Sequence, residues 1–381
     1  MSLRDDKGKL INLYNLALFI FALAPALLVF LVALWNVLAW PKIKAARRTS
    51  ERAVSILIPA RNEEANIAAC LDSVLNESET VLEVLIYDDH STDATAGIIR
   101  DYGERDARVR LCMPAELPQG WCGKNFACAR LASEAGGKWM LFLDADARLS
   151  PGAVASMVEE ATRRDVTLLS GWPALSLVSF WEKALMPLLN FVVFAIFPAP
   201  LSLVRDDESL GLAHGACILV DRLSYEAVGG HAAVRDEIFE DMRLAHLWRA
   251  EGKRGLCLDG QEVVRVRMYS SFAEIWSGFE KNFFPAFRHE ASFWLFILLH
   301  LVVFLAPVIA LVALRAWPLA IAAGCLLGAR ALVALRFRHP LWSVLLHPVA
   351  EVVLIAIGLS SWWRCKTGRG VVWKGRTLLD H

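Results

Sequence analysis

Hydrophobic positions run from Leu13 to Trp40 without a single Asp, Glu, Lys or Arg, a stretch of 28 residues. About 20 suffice to carry a helix across the hydrocarbon core of a bilayer. A second uncharged stretch covers Phe293–Leu314. Two weaker ones follow: Trp317–Leu335 carries Arg330, and Leu341–Trp363 carries His347, Pro348 and Glu351. Between the first two stretches the pattern changes to short apolar runs separated by amphipathic segments, over about 250 residues, enough for one sizeable domain. Ala53–Ala60, Leu82–Tyr87, Arg108–Met113 and Lys138–Leu143 are run-like and predict buried strands. Glu63–Leu75 repeats its apolar residues at helical spacing (Ile67, Cys70, Leu71, Val74, Leu75), and Thr92–Tyr102 predicts another helix. Ala213–Asp221 reads as a strand, followed by helical Leu223–Val228, Gly229-Gly230 and helical Glu237–Arg249. Strands alternating with helices predict parallel pairing, and run-like strands predict a sheet covered on both faces.

Composition agrees with two populations of residues. Of 381 residues, 56% are hydrophobic, above the roughly 45–50% of ordinary soluble domains. Charged residues still reach 21%, too many for a wholly membrane-buried transporter. The 40 basic and 40 acidic side chains cancel, which argues against a basic nucleic-acid binder. Disordered, collagenous and disulfide-scaffold classes are excluded as well. The eight cysteines form no CxxC pair, so neither a zinc site nor a disulfide framework is expected.

The apolar run at the N-terminus exceeds the usual core of a cleaved signal, so an uncleaved anchor is expected. Lys42, Lys44, Arg47, Arg48 and Arg52 follow it, against Arg4, Lys7 and Lys9 before it. The excess places the central domain in the cytoplasm. Three crossings after that domain would put the basic tail (Arg364, Lys366, Arg369, Lys374, Arg376) outside, against the same rule; two would return it to the cytoplasm. The apolar segment 180–204 holds Pro187, Pro198 and Pro200 and is expected to lie at the membrane interface.

Chemistry-bearing residues gather at predicted strand ends, where open α/β sheets bind their ligands. Arg61-Asn62-Glu63-Glu64, Asp88-Asp89-His90-Ser91-Thr92-Asp93 and Asp144-Ala145-Asp146 stand at three such ends. Two carboxylates flanking one small residue repel each other unless a cation sits beside them, and Mg²⁺ commonly takes one or two carboxylates plus substrate phosphates. Asp88 and Asp89 suit either a nucleoside contact or a turn built for backbone geometry. Lys124, in the loop Pro118–Asn125, could meet a diphosphate or be a solvated loop residue. Glu240-Asp241 could cap a helix or supply a general base. The phosphate fingerprints GxxxxGKS/T and GxGxxG do not open the first helix.

The order PAxNEE, DDxSTD, GWxGK, DAD, GA, GG and ED resembles the family 2 glycosyltransferases with a GT-A fold. GWxGK, GFEKN at 278–282 and WKGR at 373–376 are similar to a membrane subgroup described as glycosylating isoprenoid lipids, the hopanoid-associated and carotenoid-type glycosyltransferases. The likeness covers roughly residues 53–290. It implies an α/β, Rossmann-like GT-A domain in the cytoplasm plus α-helical transmembrane segments. It divides the chain into an anchor with basic flank (1–50), a GT-A domain (51–290), C-terminal transmembrane helices (291–363) and a basic tail (364–381). It implies a bacterial inner-membrane enzyme that moves a sugar, with inversion, from a nucleotide-diphosphate sugar to a lipid hydroxyl or carboxyl. Arg61, Glu63, Asp88 and Asp89 would hold the nucleoside, Lys124 the diphosphate, and Asp144 the ribose or sugar side. Asp146, with Asp144, would hold Mg²⁺ or Mn²⁺. Asp241 would be the base and Glu240 its positioning partner. Membrane lipids are the implied partners; nucleic acid is not. The chain departs from cellulose and hyaluronan synthases, because GFEKNFFPAF stands where they carry QxxRW. The alternatives are a polyprenyl-phosphate sugar synthase, a polysaccharide synthase of the same fold, or a sugar-nucleotide-binding membrane protein without turnover.

Overall fold

The computed structural model describes residues 19–45, 53–77, 80–287, 289–314, 317–367, 371–373 and 376–378. Arg4, Lys7, Lys9, Arg47, Arg48, Arg52, Arg369 and Lys374 lie outside the described residues. The chain divides into two compact units. One comprises Trp40–Ser176 and Ala199–Met268; the other comprises the remaining segments, Met1–Ala39, Leu177–Pro198 and Tyr269–His381.

The first unit is built on a seven-stranded sheet of order β3-β2-β1-β4-β8-β6-β9. Its strands are β1 (Val54–Ala60), β2 (Val81–Asp88), β3 (Val109–Cys112), β4 (Trp139–Leu143), β6 (Leu168–Trp172), β8 (Cys217–Asp221) and β9 (Gly255–Asp259). A smaller sheet pairs β5 (Ala147–Leu149), β10 (Val264–Val266) and β7 (Ala174–Leu175) in the order β5-β10-β7. The apolar runs of the central strands follow from burial on both sides. Ile56, Ile58, Val84, Ile86, Leu141 and Leu143 pack on one face, under the helices Ile67–Leu75 and Ala153–Arg164. Leu57, Leu85, Tyr87, Met140 and Phe142 pack on the other, under Gly123–Glu134 and Glu240–Ala250. Side chains alternate along a strand, so one run serves both cores.

Pairing of β3, β2, β1 and β4 is parallel, as the alternation of strands and helices predicts. The expectation fails at β8, which runs antiparallel to both β4 and β6. The reversal brings Gly215-Ala216, just before β8, beside the end of β4: Asp144 N–H donates to Ala216 O at 3.2 Å. The mixed sheet thereby joins two segments that are far apart in sequence at one end of its central strands.

The second unit is mainly helical, with one short antiparallel pair, Val371–Trp373 and Arg376–Leu378. Four of its described helices are long and apolar enough to cross a membrane: Ile20–Ala39, Glu290–Leu311, Trp317–Arg336 and His347–Lys366. Segment 180–204 is not one helix. It forms Phe180–Leu185, Pro187–Ile196 and a 3-10 turn Ala199–Leu203, the last in the other unit. The break falls at Met186-Pro187, because proline starts a helix well and continues one badly. Ser179 opens the first helix with a capping box that includes Glu182. None of the eight cysteines forms a disulfide.

Candidate active site

β1 and β2 end side by side, with Ala60 opposite Asp88. One more rung follows, Asp89 N–H to Ala60 O at 2.8 Å. Beyond it the two loops hold each other. Asn62 N–H donates to Ser91 Oγ (2.8 Å), Thr92 N–H donates to Asn62 Oδ1 (2.8 Å), and Glu63 N–H donates to Thr95 Oγ1 (2.8 Å). Asn62 and His90 take left-handed backbone angles, φ 50° and 54°, which close both turns; asparagine and histidine tolerate that region better than most residues.

Within this frame Arg61 donates to Asp89 O at 2.6 Å and reaches Asp89 Oδ2 at 3.5 Å. Asp88 uses Oδ1 to accept from both the N–H and the hydroxyl of Ser91, so this carboxylate shapes the turn. Glu63 accepts from Asn66 Nδ2 at 2.9 Å. Arg61, Glu63, Asp88 and Asp89 thus form one cluster at the ends of β1 and β2.

A second cluster forms at the end of β4. Lys124 Nζ lies 2.8 Å from Asp144 Oδ1 and 2.8 Å from Glu240 Oε1. Asp241 accepts from Gly215 N–H through Oδ2 and from Met242 N–H through Oδ1, both at 2.7 Å. Lys124, Asp144, Glu240 and Asp241, spread over more than a hundred positions, therefore meet in one place. Burial works against the Lys124 charge, but Asp144 and Glu240 hold its amine protonated well above the ordinary lysine range. Burial and the neighbouring Glu240 push Asp241 up to about 7, against the pull of Lys124 and two backbone N–H groups. A carboxylate poised there can accept a proton near neutral pH.

The two clusters share a floor. Cys70, fully buried, donates weakly to Asp144 O at 3.8 Å. Burial drives its thiol up to about 12; Arg148 opposes the rise, while Asp146, Asp144 and Glu63 add to it. Asp146 is half-buried and stands directly before β5.

Several supporting residues were not singled out by the sequence pattern. Asn125, 1% exposed, donates from Nδ2 to the carbonyls of Val234 (2.7 Å), Arg235 (3.2 Å) and Glu237 (2.9 Å). Cys122 N–H adds a bond to Arg235 O at 2.7 Å. These contacts tie the helix that carries Lys124 to the loop that leads into Glu240-Asp241. His214 Nδ1 accepts from Ala216 N–H at 3.2 Å, and burial lowers the ring to about 4, so it is neutral. The only sequence signal for these residues was their adjacency to the GWxGK loop and to Gly215-Ala216.

Gly215 packs directly against the second cluster. A Cβ there would lie 3.1 Å from Lys124 Nζ and 3.3 Å from Asp241 Oδ2. Gly215→Ala is expected to push these groups apart by a few tenths of an ångström and lower turnover by about 10-fold or more, since reacting groups tolerate little misplacement. Melting temperature should change little. Wild-type turnover in a folded Gly215→Ala protein would contradict this geometry.

Residues 55–229 match the sequence profile described as Glycosyl transferase family 2. Over 238 residues the chain is 29% identical to the 4,4'-diaponeurosporenoate glycosyltransferase of Staphylococcus aureus (strain USA300), and the match spans 61% of this chain and 61% of that relative. Among solved structures it is similar to a mannosyltransferase from Pyrobaculum calidifontis in complex with GDP-Man and Mn²⁺. That likeness covers 91% of this chain and 97% of the other at a TM-score of 0.57 and 20% identity, and is one of fold.

Proposed function

We propose that the chain, whose residues 55–229 match the Glycosyl transferase family 2 profile on a fold similar to that of a solved mannosyltransferase, moves a sugar from a nucleotide-diphosphate donor to a hydroxyl of a membrane lipid. The observation that carries the reading is the meeting of Lys124, Asp144, Glu240 and Asp241 at the end of β4. Arg61 and Asp89 take the nucleoside, on a frame shaped by Asp88 and Glu63. Lys124 turns from its carboxylates to the diphosphate, where a lysine acts as a point charge. Asp241 takes the acceptor hydroxyl's proton as that oxygen bonds to the sugar carbon and the bond from this carbon to the nucleotide diphosphate breaks, a single displacement with inversion. Glu240 keeps Lys124 and Asp241 in register.

A divalent cation fits the donor set. Among the described residues no group of three or more His, Cys, Asp or Glu makes a ready cage. Asp144 and Asp146 offer oxygen only, and one or two carboxylates completed by substrate phosphates is the common Mg²⁺ arrangement. When bound, such a cation supplies positive charge to the departing diphosphate.

A lipid acceptor is supported by the four apolar helices and by the relative's name. A carboxylate or phosphate acceptor arrives already ionised and needs no base. The relative is named for a carboxylate acceptor, and the proposed acceptor departs from it on one point: the Asp241 carboxylate, held by the N–H groups of Gly215 and Met242 beside Lys124, is a proton acceptor that only a hydroxyl needs. The same argument counts against a polyprenyl-phosphate acceptor. The test is mass analysis of lipid extracts from cells with wild-type protein, with Asp241→Asn and with none. A lipid heavier by one sugar residue is expected in the first alone. Labelled sugar appearing only in polymer, or unchanged lipids in all three, would overturn the proposal.

A further inference from the structure

Resting on the reading that the helical unit lies in a membrane, we infer that it crosses three times, not four. The helix His347–Lys366 is a re-entrant arm that starts inside the bilayer and ends on the side where the first span ends. The turn before it seats its apolar side chains among the lipid acyl chains.

The direction of each span follows from contacts within the unit. The first span ends at Ala39, and its last turn holds Asn36, which donates to Phe194 O and Phe197 O, both at 2.7 Å. Phe194 packs on Phe337 at 5.1 Å between ring centroids. Phe337 directly follows Arg336, the end of the third span. At mid-helix Gly328 faces Phe30 of the first span. The first and third spans therefore run the same way, and the third ends on the side of Ala39. The second span is continuous with the helix that ends at Leu314, and the third begins at Trp317. So short a connection makes the second and third spans antiparallel, and the second begins on the side of Ala39 as well.

The last helix returns to that starting point. Lys366 Nζ lies 2.8 Å from Glu290 Oε2, Trp362 Nε1 donates to Glu290 Oε1 at 2.7 Å, and Arg364 lies 3.0 Å from Glu280. Glu290 is the first residue of the second span. Both ends of 337–366 consequently lie on one side. The helix begins where His347 meets Phe304 O at 3.1 Å and Glu351 meets His300 at 2.7 Å. From Glu290 to Phe304 is about 21 Å at roughly 1.5 Å per residue, and the second span continues beyond it to Leu311. The arm enters the bilayer without reaching its far face.

Non-spanning backbone at that depth must satisfy its own polar groups, and the turn does so: Ser343 N–H donates to Pro340 O, Leu345 N–H to Trp342 O and Leu346 N–H to Ser343 O. His300, His347 and Glu351 are fully buried and Arg330 is 1% exposed, grouped about the arm's start, with Arg330 donating to Pro187 O. In front of them Leu341, Trp342 and Leu345 are exposed, and Phe180 stacks on Trp342 at 5.5 Å and 11°. Continuity with apolar spans, aromatic rings at an interface, and Arg336 and Arg338 beside them fit lipid as the occupant. Three crossings also bring Arg336, Arg338, Arg364 and Lys366 to the side on which the first span ends, which removes the conflict with the positive-inside rule.

Reporter fusions to the full chain test this. Green fluorescent protein at the C-terminus should fluoresce, and alkaline phosphatase there should be inactive. Phosphatase inserted between residues 315 and 316 should be active. Active phosphatase at both places would overturn the inference in favour of four crossings. Leu345→Cys, with Cys122, Cys325 and Cys365 replaced by serine, should react with a lipid-soluble maleimide only. Reaction with an impermeant maleimide from outside would overturn the re-entrant arm. Release of the protein by alkaline carbonate would instead overturn the membrane reading on which the inference rests.

Discussion

Asp241→Asn is expected to lower sugar transfer by about 10²–10⁴-fold, the usual range for losing a general base, while nucleotide binding stays largely unchanged. The wild-type rate should rise with pH through about 7, because burial and Glu240 keep the carboxyl protonated below that point. Below it the rate should fall about tenfold per pH unit, as for a single required ionisation. The variant should lose this limb. Asparagine keeps the shape but offers one acceptor where aspartate offers two. One of the N–H groups of Gly215 and Met242 then loses its partner, at a cost of about 1–3 kcal/mol. Thermal unfolding measured beside the pH profile separates that structural cost from the lost proton acceptor. A variant that retains the wild-type acid limb would remove Asp241 from the role of base.

Much of this site was legible because its signal is local. A charged residue directly after a buried apolar run, as at Asp88 and Asp144, marks a strand end facing solvent or ligand. The fold was less legible where elements are short or directions are set elsewhere. β5, β7 and β10 have too few residues for any period to show, and LLSGW and GLCLD (β6 and β9) are broken by glycine or acid. The direction of β8 is not in its residues at all. Helix starts were expected too early for one recurring reason. At 62–63 the backbone N–H groups go to Ser91 and Thr95, and Glu237 O is taken by Asn125, so the helices begin at Ile67 and Glu240. Asn125 itself was illegible, since its partners are carbonyls that any sequence carries. The four apolar helices were each foreseen, but their directions rest on contacts such as Lys366–Glu290 that composition does not encode.

Opposite shifts of the acid limb are expected from Lys124→Met and Glu240→Gln. Lys124 stabilises the ionised form of Asp241 and Glu240 opposes it. Removing the lysine leaves Asp144, Glu240 and Asp241 as three carboxylates without the cation between them. The limb should then move up, so that at neutral pH most of the base is protonated. Diphosphate binding should weaken with it, and the combined loss at pH 7 is expected to be about 10²-fold or more, as when a charge in a shielded site is removed. Glu240→Gln keeps the size and one acceptor for Lys124 but removes the like charge, so the limb should move down. Its maximal rate at high pH should fall far less than that of Asp241→Asn. The pair of profiles distinguishes a shared electrostatic site from residues that merely lie near each other. If both variants shift the limb the same way, or neither does, Lys124 and Glu240 do not set the ionisation of Asp241, and the base must be sought elsewhere.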